Sequence, residues 1–114
     1  MTQKEVSSET YAEQLAVQLR KGFLAYCVLK VCSGTPMYTS DIIRRLSDAE
    51  LVVVEGTIYP LLSRLQKDGL LAHEWQESEQ GPPRKYYKVT SQGIEVMGYV
   101  TKKIATLNAT LKKL

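Results

Sequence analysis

The sequence predicts an α+β fold, mostly helical, from three features. Ile58, Leu61, Leu62 and Leu65 fall at the i, i+3, i+4, i+7 spacing of one buried helix face. Leu71, His73 and Trp75 then alternate with Ala72, Glu74 and Gln76, and Tyr87 and Val89 with Tyr86 and Lys88, which is strand periodicity on both sides of a turn. Met97, Val100, Ile104, Leu107, Leu111 and Leu114 repeat at alternating spacings of three and four, the seam of a coiled coil. An amphipathic helix followed by a hairpin with a cationic turn and second strand is the order of a winged helix-turn-helix. The seam predicts a C-terminal dimerisation helix over residues 91–114, leaving residues 1–90 as the expected N-terminal helix plus winged helix-turn-helix domain.

Each element has a local cause. Met1 to about Ser7 is polar and expected to fray, and Ser8 is expected to cap a first helix with Glu9 and Glu13 near its positive end. Ala12, Leu15, Ala16, Leu19 and Phe23 form its apolar stripe. From Phe23 to Cys32 nearly every residue but Lys30 is apolar, which predicts a segment surrounded by protein. Gly22 marks either a break or a close helix contact, and Ser33-Gly34-Thr35-Pro36 ends the helix. Cys27 and Cys32, five apart on a helix, point in different directions and are read as buried, unbridged structural thiols.

Thr39 or Ser40 is expected to cap a second helix running to about Ser47, with Ile42, Ile43 and Leu46 inward and Arg44 and Arg45 outside. Leu51 to Val54 either pairs as a minor strand or packs beneath the third helix. Pro60 lacks an N–H and fits best in a first turn, which sets the start of the third helix near Gly56; Gly69 stops it. Pro82 and Pro83 cannot donate ladder hydrogen bonds and are placed in the wing tip. Trp75 is read as an apolar anchor between wing and helices, and at least one of Tyr86 and Tyr87 as core. Thr90 caps the last helix.

Net charge decides little at +3, with 44% hydrophobic and 24% charged residues. The position of the cations decides more. The third helix leaves Thr57, Tyr59, Ser63, Arg64 and Lys67 outside, where Arg64 has the fork that reads guanine in a major groove. Arg84 and Lys85 at the wing tip, with Lys88 nearby, suit phosphate neutralisation, while Glu74, Glu77 and Glu79 oppose them. Tyr38, Thr39 and Ser40 either contact one phosphate or simply cap the second helix. Leu15 and Leu19 of the first helix, with the seam from Met97 to Leu114, are the candidate dimer contacts; a tail folded back on its own domain is the competing arrangement. Tyr11, Tyr26 and Tyr99 either line an apolar cavity between subunits or pack between helices.

Several classes are excluded. The chain has one histidine, His73, and no CxxC, so no zinc ligand set is present. There is no nucleophile elbow, phosphate loop or acid/base pair, so neither an enzyme nor a cofactor is expected. The polar start and the short apolar run Phe23 to Leu29 predict no signal peptide and no membrane span, hence a cytoplasmic protein.

Three segments in order are similar to one family. Gly56-Thr57-Ile58-Tyr59-Pro60-Leu61-Leu62, Arg64-Leu65-Gln66-Lys67-Asp68-Gly69-Leu70, and Gly81-Pro82-Pro83-Arg84-Lys85-Tyr86-Tyr87 followed by Val89-Thr90 and Gly93, with Tyr38 ahead of them, resemble the short members of the PadR family of bacterial transcriptional regulators. Two departures stand out: Thr39 follows Tyr38 where the family often has glycine, and the first eighteen residues precede the usual start. The resemblance implies a homodimeric repressor that binds a double-stranded DNA operator and is released by a small-molecule effector or another signal. The mild net charge and the acidic first wing strand keep open the alternative, a winged helix that docks on protein without binding DNA. A ligand-carrying dimer without duplex affinity is the third possibility.

Overall fold

The computed structural model describes residues 6–114, so the expected fraying of Met1–Ser7 lies, for residues 1–5, outside the described residues. Helix α1 (Ser8–Val31) begins one residue earlier than expected, because Ser7 is the cap and its hydroxyl accepts from the Thr10 N–H at 3.1 Å. The helix runs through Gly22 without a break, and no neighbouring atom lies within 4 Å of where a Cβ would sit there, so neither expectation for Gly22 holds within one chain. Leu24, Val28, Leu29 and Cys32 are buried, while Phe23 is 47% exposed, so only one side of the apolar segment is covered.

The third strand was not anticipated. It is β1 (Met37–Tyr38), which pairs with β3 (Gly81–Val89), and β3 pairs in turn with β2 (Leu71–Ser78), giving an antiparallel sheet of order β1-β3-β2. Leu51 to Val54 forms no strand; Leu51 and Val53 pack half-buried against the core. Helix α2 (Thr39–Asp48) starts directly from β1, so its cap is Tyr38 rather than Thr39 or Ser40, and the Tyr38 N–H donates to the Asp41 carboxylate at 3.3 Å.

Helix α3 (Glu55–Lys67) buries Ile58, Leu61, Leu62 and Leu65 as the spacing requires. Pro60 sits in its second turn and not its first; both Pro60 and Gly56, whose carbonyl loses its intrahelical donor, are exposed, so water can replace the missing bond. Gly69 ends the helix at φ 81°, with Leu70 N–H donating to Leu65 carbonyl at 2.9 Å and Gly69 N–H to Gln66 carbonyl at 3.0 Å. This double bond pattern needs a left-handed residue, which glycine adopts without a Cβ clash.

Pro82 and Pro83 lie inside β3 and not in the turn. The register explains why: Gln76 pairs with Arg84 and Ser78 with Gly81, so both prolines face Glu77 alone across a bulge, where ladder donors are not required. Helix α4 (Ser91–Lys113) follows Thr90, whose hydroxyl accepts from Gly93 N–H at 3.0 Å as expected and also donates to the Gly69 carbonyl at 2.6 Å.

The core lies between α1, α2, α3 and the sheet, with Val28, Ile42, Ile58 and Leu62 fully enclosed. Beyond it α1 and α4 extend outward, so the molecule measures 61 × 33 × 25 Å with a radius of gyration of 17.4 Å. A compact chain of this length would have about 13 Å.

Cys27 and Cys32 are free thiols. Burial pushes the Cys32 thiol up to about 12; burial also raises Cys27, with Lys30 opposing the shift. Because the folded state holds Cys32 protonated, its contribution is complete below the ordinary value near 9 and is lost as pH rises toward about 12. The stability difference between the wild type and Cys32→Ala, from urea unfolding, is therefore expected to shrink across that alkaline window.

Candidate nucleic-acid interface

The buried face of α3 fixes what its other side presents. Tyr59, Ser63 and Lys67 follow one another at i, i+4, i+8 along the exposed side, with Arg64 beside them, and all four are exposed. Thr57 is exposed too, but it borders a groove with Val17, Lys21 and Val52 on the α1 side, so the structure does not group it with Tyr59, Ser63 and Lys67 near the wing; Arg64, two turns on, shares the side of Thr57.

The wing splits the cations that sequence proximity had joined. Trp75 pairs with Lys85 and His73 with Tyr87, so these four share the sheet face toward α3; Gln76 pairs with Arg84, Glu74 with Tyr86 and Ala72 with Lys88, which share the opposite face. The α3-facing side is tied to the helix by a hydrogen bond between Gln66 Nε2 and His73 Nδ1 at 2.7 Å. Lys85 therefore borders a groove with Ser63 and Lys67, and its ammonium lies 5.3 Å from the Tyr87 ring centroid. Lys88 is exposed on the other face, four residues from Arg84, and does not join α3.

Arg84 has a specific support that sequence reasoning missed. Its guanidinium stands 5.0 Å over the Tyr38 ring, and the Tyr38 ring packs tilted against Tyr86, with centroids 5.8 Å apart. This column exists because β1 pairs Tyr38 with Tyr86, and a two-residue strand leaves no periodic signal. Of the three α2 candidates, Ser40 is exposed, Tyr38 is half-buried in this column, and Thr39 is 6% exposed, so the Thr39 hydroxyl is not presented to a ligand.

Trp75 overturns its expected role. It is 62% exposed, its ring edge to face with His73 at 6.0 Å between centroids, and forms a wall of the cleft between wing and α3 instead of a buried anchor between wing and helices. Tyr87 takes the core position at 6% exposure. Tyr11 and Tyr99 are exposed, while Tyr26 is half-buried with its hydroxyl 2.7 Å from that of Thr101, joining α1 to α4.

At the far end, Met97, Val100 and Ile104 are half-buried, but Leu107, Leu111 and Leu114 are 66%, 70% and 96% exposed. Leu15 and Leu19 on α1 are exposed at 59% and 78%. The tail thus does not fold back along its own domain beyond Ile104. A groove of about 580 Å³ lined by Leu19, Phe23, Val100, Ile104 and Leu107 separates the two helices.

Among the described residues no group of three His, Cys, Asp or Glu side chains could hold a metal ion, and no helix is long and apolar enough to cross a membrane.

The family model described as the transcriptional regulator PadR-like family matches residues 28–99. A PadR-like transcription factor from Bacteroides fragilis is 49% identical over 88% of this chain and 97% of its own, with a TM-score of 0.76. A PadR family transcriptional regulator from Eggerthella lenta DSM 2243 is 31% identical over 92% of each chain, with a TM-score of 0.82. A PadR-like transcriptional regulator from Bacillus cereus strain ATCC 14579 is 33% identical over 84% of this chain and 94% of its own, at 0.75. No curated protein matches. With winged fold, cationic hairpin and family match in agreement, this chain belongs to the PadR-like family of DNA-binding transcriptional regulators, which are not enzymes.

Proposed function

We propose that the protein is a homodimeric repressor that binds a pseudo-palindromic operator, with residues 1–90 as the reading module and 91–114 as the dimerisation helix. The observation that carries this reading is the convergence of Tyr59, Ser63 and Lys67 of α3 with Lys85 of the wing on one accessible side. Helix α3 enters the major groove, where Arg64 reads a base edge and Lys67 with Ser63 reaches base or phosphate. Lys85 and the Tyr38-supported Arg84 neutralise flanking phosphates, and the exposed N-terminal end of α2 at Ser40 adds a neutral contact. Thr57 and Lys88 are peripheral to this footprint, and Thr39 contributes at most its backbone N–H.

The exposed leucines of α4 supply the second half of the proposal. Packed against α1 and α4 of a second copy, they hold two α3 helices for successive major-groove faces about 34 Å apart. Occupancy blocks transcription, and an effector relieves it by binding better to an angle between the modules that no longer fits DNA.

Duplex titration by fluorescence anisotropy at several salt concentrations tests the footprint. Lys85→Ala and Arg84→Ala should each weaken binding and reduce the slope of log affinity against log salt by about 1, since each removes one phosphate contact. Unchanged slopes in both variants would exclude the wing from the backbone. Selection of bound genomic fragments reads out half-site and spacing directly; an enriched site lacking two-fold symmetry would remove the dimeric operator.

A further inference from the structure

The cleft between α3 and the wing has a composition that cations alone do not explain. It encloses about 390 Å³ and is lined by Tyr59 from α3, by Tyr38, and by Trp75, Pro82, Arg84 and Lys85 from the wing. Trp75 is the chain's only tryptophan, is 62% exposed, and stands directly across the ladder from Lys85 on the face that looks toward α3. A large indole left open to water forgoes the burial that normally retains it in a small domain. Within the chain its aromatic contact is an edge to His73.

We propose that this cleft seats one sugar–phosphate strand of duplex DNA, with Trp75 packing on a deoxyribose while Lys85 holds the adjoining phosphate. The inference rests on the DNA-binding reading and adds to it an uncharged contact residue and the path of the backbone. When α3 lies in the major groove and the wing tip reaches past it, the strand bordering that groove must pass between the two elements. That strand alternates an apolar sugar face with an anionic phosphate. The lining matches this alternation: Tyr59, Trp75 and Pro82 offer apolar surface, and Lys85 offers charge from the same sheet face as Trp75, while Arg84, held over Tyr38 on the other face, borders the cleft. The indole N–H is a donor that a phosphate oxygen can accept from. Because sugars carry no sequence information, the contact adds affinity without specificity.

The single tryptophan makes the test direct. Full-length protein is titrated with random-sequence duplex DNA at low salt, following tryptophan emission, its quenching by neutral acrylamide, and anisotropy of a dye on the DNA. Acrylamide access should fall several-fold as the anisotropy saturates. Trp75→Ala should weaken affinity about tenfold with an unchanged salt slope, and Trp75→Phe should retain it within about threefold, because burial of an aromatic face carries no counterion. Circular dichroism checks that both variants remain folded, as expected for an exposed side chain. If duplex binds, Lys85→Ala lowers the salt slope, and yet acrylamide access and Trp75→Ala affinity match the unperturbed values, the cleft is empty of DNA and this proposal fails while the regulator stands. If no duplex binds even at low salt, both readings fall together.

Discussion

Leu107→Asp combined with Leu111→Asp is expected to leave the protein monomeric in sedimentation velocity and to weaken a two-half-site operator about 100-fold or more. Both leucines are more than half exposed in the single chain, so the charges are solvated there and the thermal midpoint of the monomer should barely move. In a packed seam the same carboxylates would be buried without partners, at a cost that exceeds what the remaining apolar contacts of a short coil supply. Operator affinity falls because one winged module no longer raises the local concentration of the other; linkage of two sites typically contributes factors of 10² to 10⁴. Binding to an isolated half-site, by contrast, should be unchanged. A variant that remained dimeric would move the interface off α4 and with it the register assigned to the two α3 helices.

How much of this was legible beforehand depended on whether a residue's role is set by its own period or by a distant partner. Ile58, Leu61, Leu62 and Leu65 are buried as their spacing requires, and Thr90 caps α4, because helix faces and caps are local. The exposed row on α3 followed by subtraction. The wing was harder. Alternation alone puts Arg84 and Lys85 on opposite faces, yet adjacent charges read as one patch until the pairing shows which face meets α3. Pro82 and Pro83 obeyed the proline rule in a way that spacing could not foretell, through a bulge opposite Glu77. β1 was invisible because two residues have no period, and with it went the Tyr38 column that supports Arg84. Trp75 departs from its expectation for a related reason: its size argued for an apolar anchor between wing and helices, but the buried position on that face belongs to Tyr87, two residues nearer the middle of the sheet.

Gly93→Ala tests the joint through which α4 would transmit any change in subunit angle. A Cβ built on Gly93 would lie 2.3 Å from the Leu70 carbonyl oxygen and 2.5 Å from Val89 Cγ2, and the first of these is backbone that cannot rotate away. Three hydrogen bonds hold the surfaces at that distance: Thr90 N–H to the Leu70 carbonyl at 3.0 Å, the Thr90 hydroxyl to the Gly69 carbonyl at 2.6 Å, and Gly93 N–H to the Thr90 hydroxyl at 3.0 Å. The extra methyl can be accommodated only by lifting the first turn of α4 off the junction of α3 and β2, which strains or breaks these bonds. Overpacking of this kind typically costs about 1–3 kcal/mol, and backbone contact places this case at the upper end. Gly98, in the same helix with no atom within 4 Å of its virtual Cβ, is the control: Gly98→Ala should raise the unfolding free energy by the helix-propensity gain of about 1 kcal/mol and move the urea midpoint upward accordingly. Equal midpoints for the two variants would show that the α4 joint is loose. If Gly93→Ala instead unfolds early and, where still folded, loses operator affinity while keeping its dimer, the angle set at Gly93 is what aligns each winged module with its half-site.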